Sequence, residues 1–345
     1  MRLGILTGGG DCPGLNAVIR AAVVRTLRTH EGHILGFEDG WLGLLKNRVR
    51  ELDLNAVTGI LPRGGTMLGT SRIDPYREGG GLPELRDAFR RHRIDGLLVC
   101  GGDGTLSAAA RLSAEGLPIL GIPKTIDNDV RGTDYSFGFD TALSTVVRAV
   151  DALHSTAESH DRVIVVEVMG RSCGWIAVCA GIAGGADVVV APERPVSLEE
   201  VCDFIRHRLA RGRDFSIVVV AEGARFKPDP DGRTPETPSR LDRMGRTQFG
   251  GVGAMVAAEI EQRLGIETRT VTLGYVQRGG TPTAFDRLLG SRMGIAAVDL
   301  AAQGQYGRMV SLQGASIRSV DLAIVREGPR PVDPELYEAA RVFFG

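Results

Sequence analysis

Two segments of this chain carry residue types that suit phosphoryl transfer: Gly101-Gly102-Asp103-Gly104-Thr105 and Pro123-Lys124-Thr125-Ile126-Asp127-Asn128-Asp129. The first follows the apolar run Gly96–Cys100, so a buried strand empties into a glycine turn and a helix is predicted from about Leu106. Glycines let the backbone approach an anion and aim N–H groups at it, and a helix N-terminus favours negative charge. The second segment sets the Asp127 and Asp129 carboxylates beside the Thr125 hydroxyl and the Lys124 amine. Such a set can hold Mg²⁺, deprotonate an alcohol and steady a moving phosphoryl group. Asp103 and Asp129 are the magnesium candidates, Asp103 having a turn or helix cap as its alternative role. Asp127 is a candidate general base or a support for the metal. A carboxylate is a weak base, but a loose transition state develops little charge on the nucleophile, so placement matters more than strength.

Other loops add to this inventory. The first strand ends in Gly8-Gly9-Gly10-Asp11, which suits a phosphate but lacks both the Walker A lysine and the dinucleotide glycine spacing. The loop Gly64–Arg72 offers backbone donors and the Arg72 guanidinium for a polyphosphate. Met169-Gly170-Arg171 ends another strand, and Arg171 can stabilise charge on a transferring group. Glu222 follows an apolar run and is placed to bind sugar hydroxyls. Arg162, Arg269 and Arg278 lie at strand edges, either as a phosphate clamp or as ordinary surface arginines.

Short Val/Ile/Leu runs alternate with helical periodicity, which means parallel strands buried on both faces. Strands are predicted over Leu3–Thr7, His33–Phe37, Gly96–Cys100, Pro118–Ile122, Arg162–Val168, Asp187–Ala191, Phe215–Ala221 and Thr270–Gly274. Helices are predicted over Leu15–Arg28, Leu106–Ala114, Asp140–Thr156, Gly174–Gly181, Leu198–Arg211, Val252–Leu264 and Ala284–Ala302. The fold class is α/β, with two doubly wound parallel-sheet units and ligands beyond the strand ends. Arg225–Arg246, rich in Pro, Asp, Gly and Arg, reads as an exposed insertion.

The chain has 345 residues, a length that suggests two domains. A net charge of −1 excludes a nucleic-acid binder relying on a broad basic field. Only Lys46, Lys124 and Lys227 are lysines, which singles out the one beside Thr125. Cys12, Cys100, Cys173, Cys179 and Cys202 have no zinc or redox spacing and read as free thiols of a reducing cytoplasm. Neither a secretory leader nor a membrane span is expected.

The ordered set Gly-Gly-Asp-Cys-Pro-Gly-Leu-Asn, Gly-Gly-Asp-Gly-Thr, Pro-Lys-Thr-Ile-Asp-Asn-Asp, Met-Gly-Arg-x-x-Gly-Trp and Gly-Tyr-Val-Gln-Arg-Gly-Gly resembles the 6-phosphofructokinase family, from residue 3 to about 295. The resemblance implies Mg²⁺-dependent phosphorylation of fructose 6-phosphate at its 1-hydroxyl. It implies two Rossmann-like domains with the active site in the cleft between them. A donor domain would take residues 1–138 plus about 277–325, and a fructose 6-phosphate domain 139–276 plus about 326–345. Gly10, Arg72, Gly102, Asp103, Gly104 and Thr105 would bind ATP, Asp103 and Asp129 the metal. Asp127 would be the base, Thr125 would contact the transferring phosphoryl and Arg171 would assist catalysis. Thr125, Asp127, Arg162, Met169, Gly170, Arg171, Glu222, Arg269, Tyr275 and Arg278 would hold the sugar phosphate. Arg162 and Arg269 would reach a neighbouring subunit's site, which implies a homotetramer with shared sites.

This family uses ATP or pyrophosphate, and the signature here is mixed. Pyrophosphate users typically carry Asp where this chain has Gly104 and Lys at position 124, whereas ATP users typically carry Gly at both. An Asp at 104 fills the space for a nucleotide, while a flexible Lys124 can swing aside, so the balance favours ATP, with pyrophosphate as the alternative. Tyr275 stands where ATP enzymes usually have His. Arg20, Arg25, His154, Asp187 and Arg213 only partly match the family's allosteric effector region. The remaining alternatives are a lipid or NAD kinase, which shares only Gly-Gly-Asp-Gly-Thr, and a catalytically inactive nucleotide-sensing subunit, against which Asp127 and Arg171 both speak.

Overall fold

Uninterrupted β-branched runs become buried strands in the computed structural model, which describes residues 1–78, 81–235, 240–241 and 247–345. In chain order the first strands are β1 (Arg2–Thr7), β2 (His33–Phe37), β3 (Val49–Glu51), β4 (Gly96–Gly101), β5 (Ile119–Thr125) and β6 (Phe137–Gly138). Next come β7 (Val163–Val168), β8 (Val188–Val190), β9 (Ser216–Ala221) and the short pair β10 (Arg240–Leu241) and β11 (Thr247–Gln248). The last are β12 (Thr268–Thr272), β13 (Arg308–Gln313) and β14 (Ser316–Asp321). Helices α1 (Leu15–Thr29), α2 (Trp41–Lys46), α3 (Pro75–Glu78), α4 (Leu82–His92), α5 (Asp103–Ala114) and α6 (Phe139–Ser159) fill the first half. Beyond them lie α7 (Trp175–Ala183), α8 (Leu198–Ala210), α9 (Val252–Leu264), α10 (Ala284–Ala302) and α11 (Pro334–Arg341).

The chain forms two compact units, Met1–Thr141 with Arg278–Pro329, and Ala142–Gln277 with Arg330–Gly345. The first is built on a sheet of order β14-β13-β5-β4-β1-β2-β3, with β6 also paired to β5. Its centre is parallel, but β3 and β14 are antiparallel edges. The sheet is thus parallel-dominated as expected, with an antiparallel strand added at each rim: β14 returns on β13 after a tight turn at Gly314, and β3 returns on β2 after α2. Helices α4 and α5 pack their apolar stripes on this sheet through Leu85, Phe89, Leu106 and Leu112. The second unit has a wholly parallel sheet, β12-β7-β9-β8, against which α8 and α9 bury Val201, Ile205, Val256 and Ile260.

Helix α5 starts three residues earlier than expected, at Asp103. Gly102 is extended and its carbonyl accepts the first helical bond, from Leu106 N–H at 3.0 Å. Asp103, Gly104 and Thr105 thus form the first helical turn, where the dipole favours anions. Within the segment 225–246, expected to be an exposed insertion, a buried residue is tied to the second unit's α9. Asp229 is buried and pairs with Arg263 at 2.7 Å; residues 236–239 and 242–246 lie outside the described residues. Among the described residues no helix is long and apolar enough to cross a membrane.

Candidate active site

In the first unit, three neighbouring parallel strands bring the glycine loops together. β1 pairs with β4 up to Thr7 and Cys100, and β4 with β5 up to Gly101 and Pro123. The glycines there are sterically required. A Cβ on Gly8 or Gly101 would lie 2.7 or 2.4 Å from the Thr105 side chain, so Thr105 packs where two glycines leave room. Thr70 Oγ1 donates to the Gly9 carbonyl at 2.6 Å, and Gly9 N–H donates to the Ser71 carbonyl at 2.9 Å. These bonds sew the Gly10 loop to the segment carrying Arg72, which is exposed. Asn16, given no role from sequence, holds the same segment from α1. Its amide donates to the Arg63 carbonyl at 3.1 Å and accepts from Met67 N–H at 2.8 Å. Its position on the buried face of an amphipathic helix was the available signal.

Strand β5 delivers Lys124 and Thr125, and the turn after it delivers Asp127 and Asp129, all buried. Thr125 Oγ1 accepts from Asp127 N–H at 3.0 Å, and Asn128 takes the left-handed conformation, φ 52°. A non-glycine residue there is held by its surroundings, and such strain clusters at functional sites. Asp127 is 4% exposed, and its Oδ1 has no hydrogen-bond partner among the described residues. Leaving a buried acceptor unmatched costs about 1–3 kcal/mol, more when it is charged. A buried carboxylate oxygen in this state is chemically able to accept a hydrogen bond or a proton.

Lys124 donates to the Gly10 carbonyl. Burial holds its ammonium below the usual lysine range, with Arg278 acting in the same direction and Cys12 and Asp127 opposing. Arg278 also belongs to this unit: its guanidinium occupies the space beside Gly10, where a Cβ would lie 2.7 Å away, and donates to the Asp11 carbonyl at 3.4 Å. Lys124 and Arg278 together make the Gly10 loop cationic. By contrast, a Cβ on Gly104 would meet nothing within 4 Å. Among the described residues no three His, Cys, Asp or Glu side chains form a metal cage. The chemistry of the Asp103 and Asp129 carboxylates is of the kind Mg²⁺ takes, since that ion commonly uses one or two carboxylates and completes its shell with phosphate and water.

The second unit carries Met169, Gly170, Arg171 and Glu222 at the ends of β7 and β9. Glu222 Oε1 accepts from Arg171 N–H at 2.8 Å and Gly170 N–H at 3.3 Å, fixing a loop in which Arg171 has φ 54°. A Cβ on Gly223 would come 1.8 Å from the Arg171 carbonyl, so this close approach needs glycine. Arg162 and Arg269 meet on one carboxylate, Glu267, Arg162 at 2.8 Å. Tyr275 is 74% exposed on a short 3₁₀ turn. Of the effector-region residues, Arg25 pairs with Asp299 in the first unit, and in the second Asp187 pairs with Arg208 while His154 contacts the Gly184 carbonyl.

The sequence profile of the phosphofructokinase family matches residues 2–301. A pyrophosphate–fructose 6-phosphate 1-phosphotransferase of Amycolatopsis methanolica is 50% identical over the whole of both chains. An ATP-dependent 6-phosphofructokinase of Mycobacterium tuberculosis is likewise 50% identical over the whole of both. Among solved structures, phosphofructokinase from Saccharomyces cerevisiae superposes with TM-score 0.80 at 33% identity, covering 94% of this chain and 45% of the yeast chain. A pyrophosphate-dependent phosphofructokinase from Marinobacter aquaeolei shares the fold, with TM-score 0.81 at 22% identity, over 100% of this chain and 92% of its own.

Proposed function

The chain belongs to the phosphofructokinase family, and on that premise we propose that it transfers a phosphoryl group from ATP to the 1-hydroxyl of D-fructose 6-phosphate, giving fructose 1,6-bisphosphate. It is a phosphotransferase acting on an alcohol, and a glycolytic role follows from its family. The observation that carries the reading is the buried Asp127 carboxylate with its open Oδ1, beside Thr125 at the end of β5. Asp127 accepts the hydroxyl proton, and Thr125 steadies the transferring group. Arg171, aimed by Glu222, balances charge on that group, and Arg278 serves the sugar phosphate. Gly10, Arg72, Gly102, Gly104 and Thr105 cradle the donor. Asp103 and Asp129 would hold Mg²⁺, which when bound neutralises charge on the donor phosphates.

ATP is supported by Gly104, whose surroundings are open where a nucleotide needs room. Pyrophosphate is the second reading, favoured by Lys124, whose buried ammonium sits against the Gly10 loop and suits a compact, highly charged donor. Relatives at equal identity carry both names, so identity does not choose between them. A side-by-side assay with MgATP and magnesium pyrophosphate decides: turnover with pyrophosphate alone overturns the ATP reading, and turnover with neither overturns both.

Met169, Gly170, Glu222 and Tyr275 serve the sugar phosphate. Arg162 and Arg269, gathered on Glu267, serve the site of a neighbouring copy within a homotetramer, a state that sedimentation equilibrium tests. Its free cysteines suit the cytoplasm. Effector control would use His154, Asp187, Arg213, Arg20 and Arg25.

A further inference from the structure

The first turn of α10 does something unusual with its acid. Thr283 caps this helix, its Oγ1 accepting from Asp286 N–H at 3.3 Å. An acidic residue three positions after such a cap ordinarily reaches back to the cap's own N–H. Here that N–H donates instead to Thr141 Oγ1 at 3.0 Å. The freed Asp286 carboxylate is turned onto the start of α6. Its Oδ1 accepts from Gly138 N–H at 2.8 Å, and its Oδ2 accepts from Thr141 N–H at 2.8 Å and Thr141 Oγ1 at 2.5 Å. Thr283 Oγ1 in turn donates to Asp140 Oδ2 at 2.6 Å. The N-termini of two helices are thereby latched to each other by four side chains, Asp286, Thr141, Thr283 and Asp140.

Gly138 is not an arbitrary place to attach a latch. It lies in β6, which pairs with β5 in the register Lys124–Phe137 and Thr125–Gly138. It has φ 100°, and a Cβ there would come 2.6 Å from the Cys12 sulfur, so its backbone is boxed in on the far side. Just before it, Ser136 Oγ donates to the Thr125 carbonyl at 2.9 Å, and Ser136 N–H donates to Asn128 Oδ1 at 3.0 Å. Fixing Gly138 therefore fixes both sides of the turn that presents Thr125 and Asp127. The charge makes the arrangement costly as a mere helix cap. Asp286 is fully buried, and among the described residues it forms no ion pair. The titratable groups bearing on it are Asp140 of α6 and the Cys12 thiol of the β1–α1 turn, itself pushed up by burial. Burial, with Asp140 adding to it, pushes the Asp286 carboxyl up to about 6 against three hydrogen bonds that oppose the shift.

We propose that Asp286 is a positioning residue for phosphoryl transfer: through Gly138 and the β5–β6 pairing it holds the Thr125–Asp127 turn in its working geometry. The inference rests on the proposed role of Asp127. A misplacement on the order of 1 Å at a reacting group costs roughly a hundredfold in rate. Loss of the latch is thus expected to act on kcat and to leave the KM values for fructose 6-phosphate and the donor nearly unchanged.

The test compares Asp286→Asn, Thr141→Val and Thr141→Ser in the full chain, by kcat and KM, by the pH profile of kcat, and by hydrogen exchange of the segment Lys124–Gly138. Asp286→Asn and Thr141→Val should lower kcat by about ten- to a hundredfold and speed exchange in that segment. Thr141→Ser, which keeps the hydroxyl, should restore both. The acid limb of the parent profile should move in Asp286→Asn. Should Asp286→Asn fail to fold, Thr141→Val decides alone. Lowered melting temperatures with kcat, pH profile and local exchange all unchanged would make the latch a helix cap and overturn the inference. A parent enzyme that uses neither donor defeats the proposed reaction, and the exchange comparison then reads the latch by itself, unchanged exchange overturning it.

Discussion

At the scale of single residues, Asp127 and Gly104 make separable predictions. Asp127→Asn keeps the size of the side chain and its place in the turn while removing the base. Turnover should fall by about two orders of magnitude or more, with KM little changed in steady-state assays; survival of turnover would remove Asp127 from the role. Gly104→Asp tests donor choice cleanly because a Cβ at this position meets nothing within 4 Å. The variant should fold with an unaltered melting temperature, lose ATP-dependent activity and retain pyrophosphate-dependent activity if the parent has any. Equal loss with both donors would refute the steric argument. Much of this was legible because carboxylates, glycines and a hydroxyl at fixed spacing declare their chemistry in sequence. What was not legible is where long side chains go. In sequence Arg278 lies at a strand edge, as a phosphate clamp or a surface arginine, and only the structure shows its guanidinium against Gly10 and Asp11. An arginine reaches too far for its position in the chain to fix its partner.

At the scale of elements, the buried strands β1, β2, β4, β5, β7, β8 and β9 were readable to within a few residues because unbroken apolar runs have no other place to go, whereas the buried strand β13 was missed because Ser311 interrupts its apolar run. Helix α5 begins at Asp103 rather than Leu106 because a glycine can cap a helix by its backbone alone, leaving no side-chain signal. The antiparallel edges β3 and β14 escaped because edge strands mix exposed and buried residues and lack an apolar run. Helix α8 shows the opposite case, an end written in side chains. Ser197 Oγ accepts from Glu200 N–H at 3.2 Å, and Glu200 accepts from Ser197 N–H at 2.8 Å, forming a capping box. Ser197→Ala should lower stability by about 1 kcal/mol in urea unfolding; an unchanged midpoint would show that the cap contributes nothing. The latch between α6 and α10 adds a pH dependence with a definite sign. Asp286 titrates near 6 in the fold and near 3.9 when unfolded, so between these values the native state binds more protons. Its contribution therefore falls as pH rises through that window, by up to about 3 kcal/mol, and is flat above it. The stability difference between the parent and Asp286→Asn should follow this course in denaturant titrations from pH 3.5 to 7. A difference that instead grows with pH would reverse the assignment of burial as the dominant cause.

At the scale of the whole molecule, the length announced two domains, but the residues mark only one of the three places where the chain crosses between units. The crossing after Thr141 falls inside the continuous helix α6, and the crossing before Arg278 falls at the end of a 3₁₀ turn, so neither carries a linker composition, whereas the crossing after Pro329 lies in the run Gly328-Pro329-Arg330-Pro331. Each unit nonetheless has its own sheet and its own apolar cluster, and chance has given each a tryptophan, Trp41 in the first and Trp175 in the second. Both rings are buried, and Trp175 donates its indole N–H to the Arg330 carbonyl at 3.0 Å beneath the Arg330 guanidinium. Fluorescence of the single-tryptophan variants Trp41→Phe and Trp175→Phe therefore reports the units one at a time. Ile205 lies in the cluster of the second unit, and truncating it to Ala should cost about 2–5 kcal/mol there. If the units unfold separately, Ile205→Ala lowers the urea midpoint seen by Trp175 and leaves the midpoint seen by Trp41 in place. A common shift at both probes would mean that the two cores melt as one cooperative body, and a single unfolding free energy would then describe the protein. The outcome also bears on catalysis. Asp127 and Asp103 belong to the first unit while Arg171 and Glu222 belong to the second. Independent melting would let the sugar-phosphate residues be lost while donor binding persists, which isothermal titration with donor at intermediate urea would detect.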